Sequence, residues 1–230
     1  MALLRVDQAV AAIAGSQVLR RVSVDIAAGE TLALIGRNGA GKTSLLRVIM
    51  GALPLVEGKI EFSGRDITPM PAHERVGLGI GYAPEERRLI GKFTVQENIL
   101  LPAWAGRLGA AEIQERLELI YFVAPELKDL SPRFGGLLSG GQQKMVALGR
   151  ALMAGKHMVL LDEPFQGLAP ALAQAYAGML RALRDARPDL AILVTESNPQ
   201  LLQSMADRMI VLERGEVQPG AVETTTVQRL

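Results

Sequence analysis

The apolar residues of this chain fall into short runs separated by polar and glycine-rich stretches. Leu3–Asp7, Val22–Ile26 and Thr31–Ile35 read as strands near the amino end. A helical pattern follows the loop at Gly36–Gly41 and ends near Gly51. Lys59–Phe62 and Gly79–Ala83 read as further strands. Thr94–Arg150 is mostly helical by pattern, broken at Pro102, Pro125 and Pro132. Strand and helix then alternate: a strand at His157–Leu161, a helix from Pro170, a strand at Leu190–Val194, a helix near Gln200–Met205 and a strand at Arg208–Leu212. The pattern predicts an α/β core built on a mixed sheet, with a helical insertion.

Composition narrows this little further. With 230 residues, 49% hydrophobic and 21% charged, the chain has enough to bury the core of one large domain, with or without an inserted lobe. A net charge of +1 with the signs mixed argues against a general nucleic-acid surface. The absence of cysteine excludes disulfides and thiolate metal sites. No apolar run approaches the roughly 18 residues that span a bilayer. Gln8–Leu19 is uncharged and follows Arg5, which imitates a secretion signal; Asp7 before it and Arg20–Arg21 behind it spoil that pattern. Two short strands are the better reading there. No repeat or low-complexity tract is visible.

The chemistry concentrates in three motifs. Gly36-Arg37-Asn38-Gly39-Ala40-Gly41-Lys42-Thr43 fits the phosphate-loop pattern, between an apolar strand and a helix. Its glycines let backbone N–H groups turn toward phosphate oxygens, and the helix adds its positive end. Lys42 is placed to reach the β- and γ-phosphates, the Thr43 hydroxyl to hold Mg²⁺, and Ser44 completes the loop. Met158–Glu163 is an apolar strand ending in two acids. Asp162 suits Mg²⁺, directly or through water, and Glu163 suits polarising the water that attacks the γ-phosphate. Leu138–Gln142 reads LSGGQ. Ser139 and Gln142 have the spacing of a capping box at the start of a helix ending at Gly155. Gly140 and Gly141 are poor first-turn residues unless something approaches the backbone closely.

In this order the motifs resemble those of ATP-binding cassette (ABC) ATPases, and the resemblance covers essentially the whole chain. It implies a single domain, 1–230, with the core at 1–84 and 156–230, an N-terminal antiparallel β region, and a helical subdomain at about 85–155. It implies that Ser139, Gly140, Gly141 and Gln142 act in trans, on ATP held by a second ABC subunit in a head-to-tail dimer. It also implies integral membrane permease subunits, an external substrate-binding protein as an indirect partner, and a place on the cytoplasmic face of the inner or plasma membrane. The short span from Lys42 to Ser139 is unlike DNA-repair ABC ATPases, whose halves are separated by coiled coils. A single cassette is unlike the tandem translation factors.

Three stretches narrow the resemblance to ATPase subunits of branched-chain amino-acid and urea-type uptake systems. They are Gly81–Arg88 followed by Phe93–Asn98, then Asp162–Pro170, then a short C-terminus after Gly215. In that branch Glu85 resembles the phosphate-sensing position at the junction with the membrane partner. Trp104, the only tryptophan, lies in the helical insertion and is read as core. Lipid or lipopolysaccharide export subunits share the Asp-Glu-Pro-Phe start but usually keep a histidine that contacts the γ-phosphate.

Three positions depart from the family. Where a histidine usually follows the next strand, this chain offers Glu196. A carboxylate about 5 Å from a phosphate charge costs about 3 kcal/mol at an effective dielectric of about 20. Either Glu196 faces the phosphate, or it turns away with Thr195 or Ser197 nearer, or the register is one residue off. No aromatic precedes Phe62 to stack on adenine, which leaves Ile13 or Val18 for apolar contact. The aspartate usual after the acidic strand is replaced near Ala169. The missing histidine and aromatic lead to the expectation that this is the less active half of a heterodimeric pair.

Overall fold

The structure is a computed structural model describing residues 2–218. Two sheets carry the chain. The first is antiparallel and joins β1 (Ala2–Ile13), β2 (Ser16–Ala27), β4 (Glu57–Phe62) and β5 (Arg65–Asp66) in the order β2-β1-β4-β5. The second contains β3 (Thr31–Ile35), β6 (Ile80–Ala83), β7 (Met158–Asp162), β8 (Ala191–Glu196), β9 (Arg208–Glu213) and β10 (Glu216–Val217) in the order β10-β9-β3-β8-β7-β6. All its pairings are parallel except that of the edge strand β10.

The second sheet is buried on both faces, and its alternate residues feed two cores. Leu32, Leu34, Met158, Leu160, Ala191 and Leu193 point toward the antiparallel sheet. Between the sheets lies α1 (Lys42–Ile49), which contributes Leu45, Leu46, Val48 and Ile49. Ala33, Val159, Leu161, Ile192 and Val194 point the other way, into a core shared with the helices. Those helices include α3 (Val95–Ala105), α4 (Ala110–Val123), α6 (Gly140–Ala154) and α7 (Pro170–Ala186), with the single turn α5 (Glu126–Asp129) after α4. Helix α6 packs on β6 and β7 as well as on α3 and α4, so sheet and helical layer share one apolar interior.

Several expectations need correction. The two N-terminal strands are not short: β1 and β2 are 12 residues each and form one hairpin turning at Ala14–Gly15. Gln8 and Arg21 sit in the left-handed region, and register shifts break the alternation there. Helix α3 continues through Pro102, which removes only one bond near its last turn. The segment near Gln200–Met205 holds only a 3₁₀ turn at Pro199–Leu201, and a short α2 (Ala72–Gly77) was not anticipated. Trp104 is 49% exposed rather than core. Of the C-terminus after Gly215, residues 219–230 lie outside the described residues.

Candidate nucleotide site

The site forms where β3, β7 and β8 end side by side, at the carboxyl edge of the parallel sheet. The loop after β3 delivers Gly36–Gly41 to α1. Gly41 is the N-cap of α1 at φ 110°, and no side chain caps the helix. By contrast, α3 and α6 each carry a complete capping box. The first N–H groups of α1 therefore face a cleft of about 430 Å³, lined by Val18, Asn38, Gly39, Gly41, Lys42, Thr43, Ser44, Glu85, Glu163 and Gln166. A helix N-terminus without a side-chain cap is suited to an anion. Gly36 has a packing reason of its own: a Cβ there would lie 2.4 Å from the Leu212 carbonyl oxygen.

Lys42 is 3% exposed. Its ammonium donates to the carbonyls of Gly36 at 2.6 Å and Arg37 at 3.3 Å, and pairs with the Glu163 carboxylate at 2.8 Å. Arg37 contributes that carbonyl from an exposed position, while Ala40 is buried beneath the loop. Asp162, at the end of β7, is the hub of a hydroxyl cluster. Thr43 Oγ1 donates at 3.1 Å, Thr195 Oγ1 at 3.0 Å and Tyr82 OH at 3.1 Å. Burial pushes Asp162 above the usual carboxylate range, against the lowering effect of those three hydrogen bonds. A cation at this carboxylate would favour its charged form. Tyr82 was not foreseen; burial first, then Asp162, pushes its hydroxyl up, so it remains a donor.

Glu196 belongs to a different environment from the one expected. Its carboxylate turns away from the phosphate loop. Oε1 accepts from the Phe165 N–H at 2.8 Å and Oε2 from the Ser197 N–H at 3.3 Å. The residue facing the loop is Ser197, whose Oγ lies 2.9 Å from Asn38 Oδ1, 3.1 Å from Glu163 Oε1 and 3.3 Å from Lys42 Nζ. Glu196 is thus withdrawn as a phosphate-facing catalytic group. Glu85 lines the cleft opposite. For the base, Val18 lines the cleft, whereas Ile13 is a 45% exposed residue at the hairpin end and does not.

The signature residues Ser139, Gly140, Gly141 and Gln142 do not line this cleft. They form the first turn of α6. Ser139 Oγ accepts from the Gln142 N–H at 3.3 Å, and Gln142 Oε1 accepts from the Ser139 N–H at 3.0 Å. Ser139 and Gly140 are exposed. Gly141 has an internal reason for its size, since a Cβ would fall 1.9 Å from Leu172 Cδ2 of α7.

Comparison with known proteins agrees with this geometry. Residues 19–166 match the family described as ABC transporter. The chain is 34% identical over 201 residues to the high-affinity branched-chain amino acid transport ATP-binding protein BraG of Pseudomonas aeruginosa, covering 87% of this chain and 84% of that protein. It is 36% identical over 200 residues to the lipopolysaccharide export system ATP-binding protein LptB of Acidithiobacillus ferridurans, covering 87% and 82%. Among solved structures, an ATP-binding subunit of an ABC transporter superposes with a TM-score of 0.81 at 28% identity, over 97% of this chain and 90% of that one.

Proposed function

From the premise that this chain belongs to the ABC transporter family of ATP-binding, ATP-hydrolysing cassettes, we propose that it energises an importer of branched-chain or other amino acids, urea or short amides. One observation carries the enzymatic part. Lys42 and Thr43, at the uncapped start of α1, meet the two acids at the end of β7: Lys42 pairs with Glu163 and Thr43 bonds Asp162, with Lys42, Thr43 and Glu163 lining one cleft. The similarity to BraG supports the importer reading.

In this reading the Gly36–Gly41 loop and the start of α1 cradle the phosphates. A triphosphate competes with Glu163 and the loop carbonyls for the Lys42 ammonium. Glu163 then polarises the attacking water, held between it and the Ser197 hydroxyl. Thr43 and Asp162 would hold Mg²⁺ through hard oxygen donors. Bound there, it would neutralise charge on the phosphate oxygens.

The exposed Ser139 and Gly140 suit contact with ATP on a second, unlike subunit. No helix among the described residues is long and apolar enough to cross a membrane. Membrane permease subunits, with an external binding protein that selects the substrate, would place the chain peripherally on the cytoplasmic face. The LptB similarity favours a second reading, export of lipopolysaccharide. Ser197, where such subunits usually carry a histidine, weighs against it. The two separate on deletion of the gene in cells that make this chain. Loss of labelled amino-acid or urea uptake with a normal outer surface supports import; retained uptake with a lipopolysaccharide defect overturns it.

A further inference from the structure

Two buried polar side chains hold the backbone around Glu163. Lys144, on α6, is 5% exposed, and its ammonium donates to the Glu163 carbonyl at 2.6 Å. Glu196, at the end of β8, is also 5% exposed and accepts from the N–H of Phe165 two residues on. Between them Glu163 has φ 45°, a left-handed conformation disfavoured for a residue with a side chain. Its own N–H is held by β8, through the Thr195 carbonyl at 3.2 Å and hydroxyl at 3.1 Å. The direction of the Glu163 carboxylate depends on this backbone being held. Burial pushes the Lys144 ammonium below its usual range, so keeping the charge there is costly. The hydrogen bond to the Glu163 carbonyl and the nearby carboxylates of Glu196, Glu85 and Glu163 offset that cost.

We propose that Lys144 is a positioning residue: with Glu196 holding the Phe165 N–H, it fixes the strained backbone of Glu163 and ties it to α6. The inference rests on the reading of Glu163 as the water-activating group. It adds a mechanical link, because Lys144 lies on the same helix as Ser139, close to the end proposed to meet the partner's nucleotide. A shift of α6 on contact with that nucleotide is transmitted through Lys144 to the carbonyl of this chain's own Glu163. The link runs within one chain, from its half of one site to its half of the other.

The test compares wild type with Lys144→Met, which keeps the straight side chain, and Lys144→Arg, which keeps a donor. ATP hydrolysis is measured on the subunit assembled with its co-purified partners, and amide exchange on the isolated, unliganded chain. Lys144→Met is expected to lower kcat about tenfold with KM for ATP within about twofold, the mark of an interaction made at the transition state. Exchange at Phe165 and Gln166 should rise about tenfold as the segment loosens. Lys144→Arg should recover part of both, and Glu196→Gln, which keeps an acceptor, should loosen the segment less than Glu196→Ala. A folded Lys144→Met with wild-type kcat and wild-type exchange overturns the proposal. If wild type neither binds nor hydrolyses ATP, the functional reading fails instead, and the exchange data still decide whether Lys144 holds the segment.

Discussion

Ser197 shows what a residue-level reading missed. β8 is buried along its whole length on both faces, so no polar alternation marks which side chain points where. Sequence alone left Glu196, Thr195 and Ser197 as rivals for the position beside the phosphate. The structure resolves it by one residue: Glu196 ends the strand and turns under Phe165, while Ser197 lies beyond it and faces Lys42 and Glu163. The expectation of a slower subunit is then tested at Ser197 rather than at Glu196. Ser197→His is predicted to raise ATP turnover of the assembled pair, measured as steady-state phosphate release; no gain means that this position does not limit the rate.

Glu196 instead carries a signature of stability. Burial, with a smaller contribution from Glu163, pushes it from 4.5 up to about 7, against lowering by the Phe165 and Ser197 N–H groups and by Lys144; Tyr176 of α7 lies on its other side. Below about pH 4.5 both folded and unfolded chains hold the proton, and the group costs nothing. Between there and pH 7 the unfolded chain releases a proton that the folded chain keeps, so stability falls as pH rises. Above that range the penalty is constant. The stability gained by Glu196→Gln over wild type should therefore grow by roughly 3 kcal/mol between about pH 4 and pH 8 in denaturant titrations. A gap independent of pH contradicts the buried-acid assignment.

At the scale of elements, the clearest signals were those with a local cause. The phosphate loop lies between its strand and helix as read, and the Ser139–Gln142 capping box forms at the start of α6. Less legible were features set by distant chain. The β1–β2 hairpin read as two short strands because bulges at Gln8 and Arg21 interrupt its alternation. The packing of Leu172 against Gly141, 31 positions away in the sequence, was likewise not legible. The two capping boxes allow a matched comparison. Thr94→Ala on α3 and Ser139→Ala on α6 should each cost about 1 kcal/mol of stability. Only Ser139→Ala should also lower hydrolysis by the assembled pair, since its hydroxyl is exposed toward the proposed partner. Equal activity in the two variants would leave Ser139 as a cap and nothing more.

Across the whole molecule, function follows from strand order. β3 lies between β8 and β9, and β7 between β8 and β6. That order brings the lysine loop, the acidic pair and Ser197 together from positions far apart in the chain. The motifs announced which residues take part; they did not announce the hydroxyl cluster of Tyr82, Thr43 and Thr195 around Asp162, nor the Lys144 contact, because both depend on elements meeting in space. The same arrangement leaves Ser139, Gly140, Gly141 and Gln142 outside the chain's own cleft.

The most direct test of Glu163 as the water-activating group is phosphate release from MgATP by the assembled subunit, wild type against Glu163→Gln, with nucleotide binding measured on the same samples. Phosphate release should fall by about 100-fold or more while ATP remains bound. A Glu163→Gln subunit that binds ATP and hydrolyses it at the wild-type rate would contradict the account.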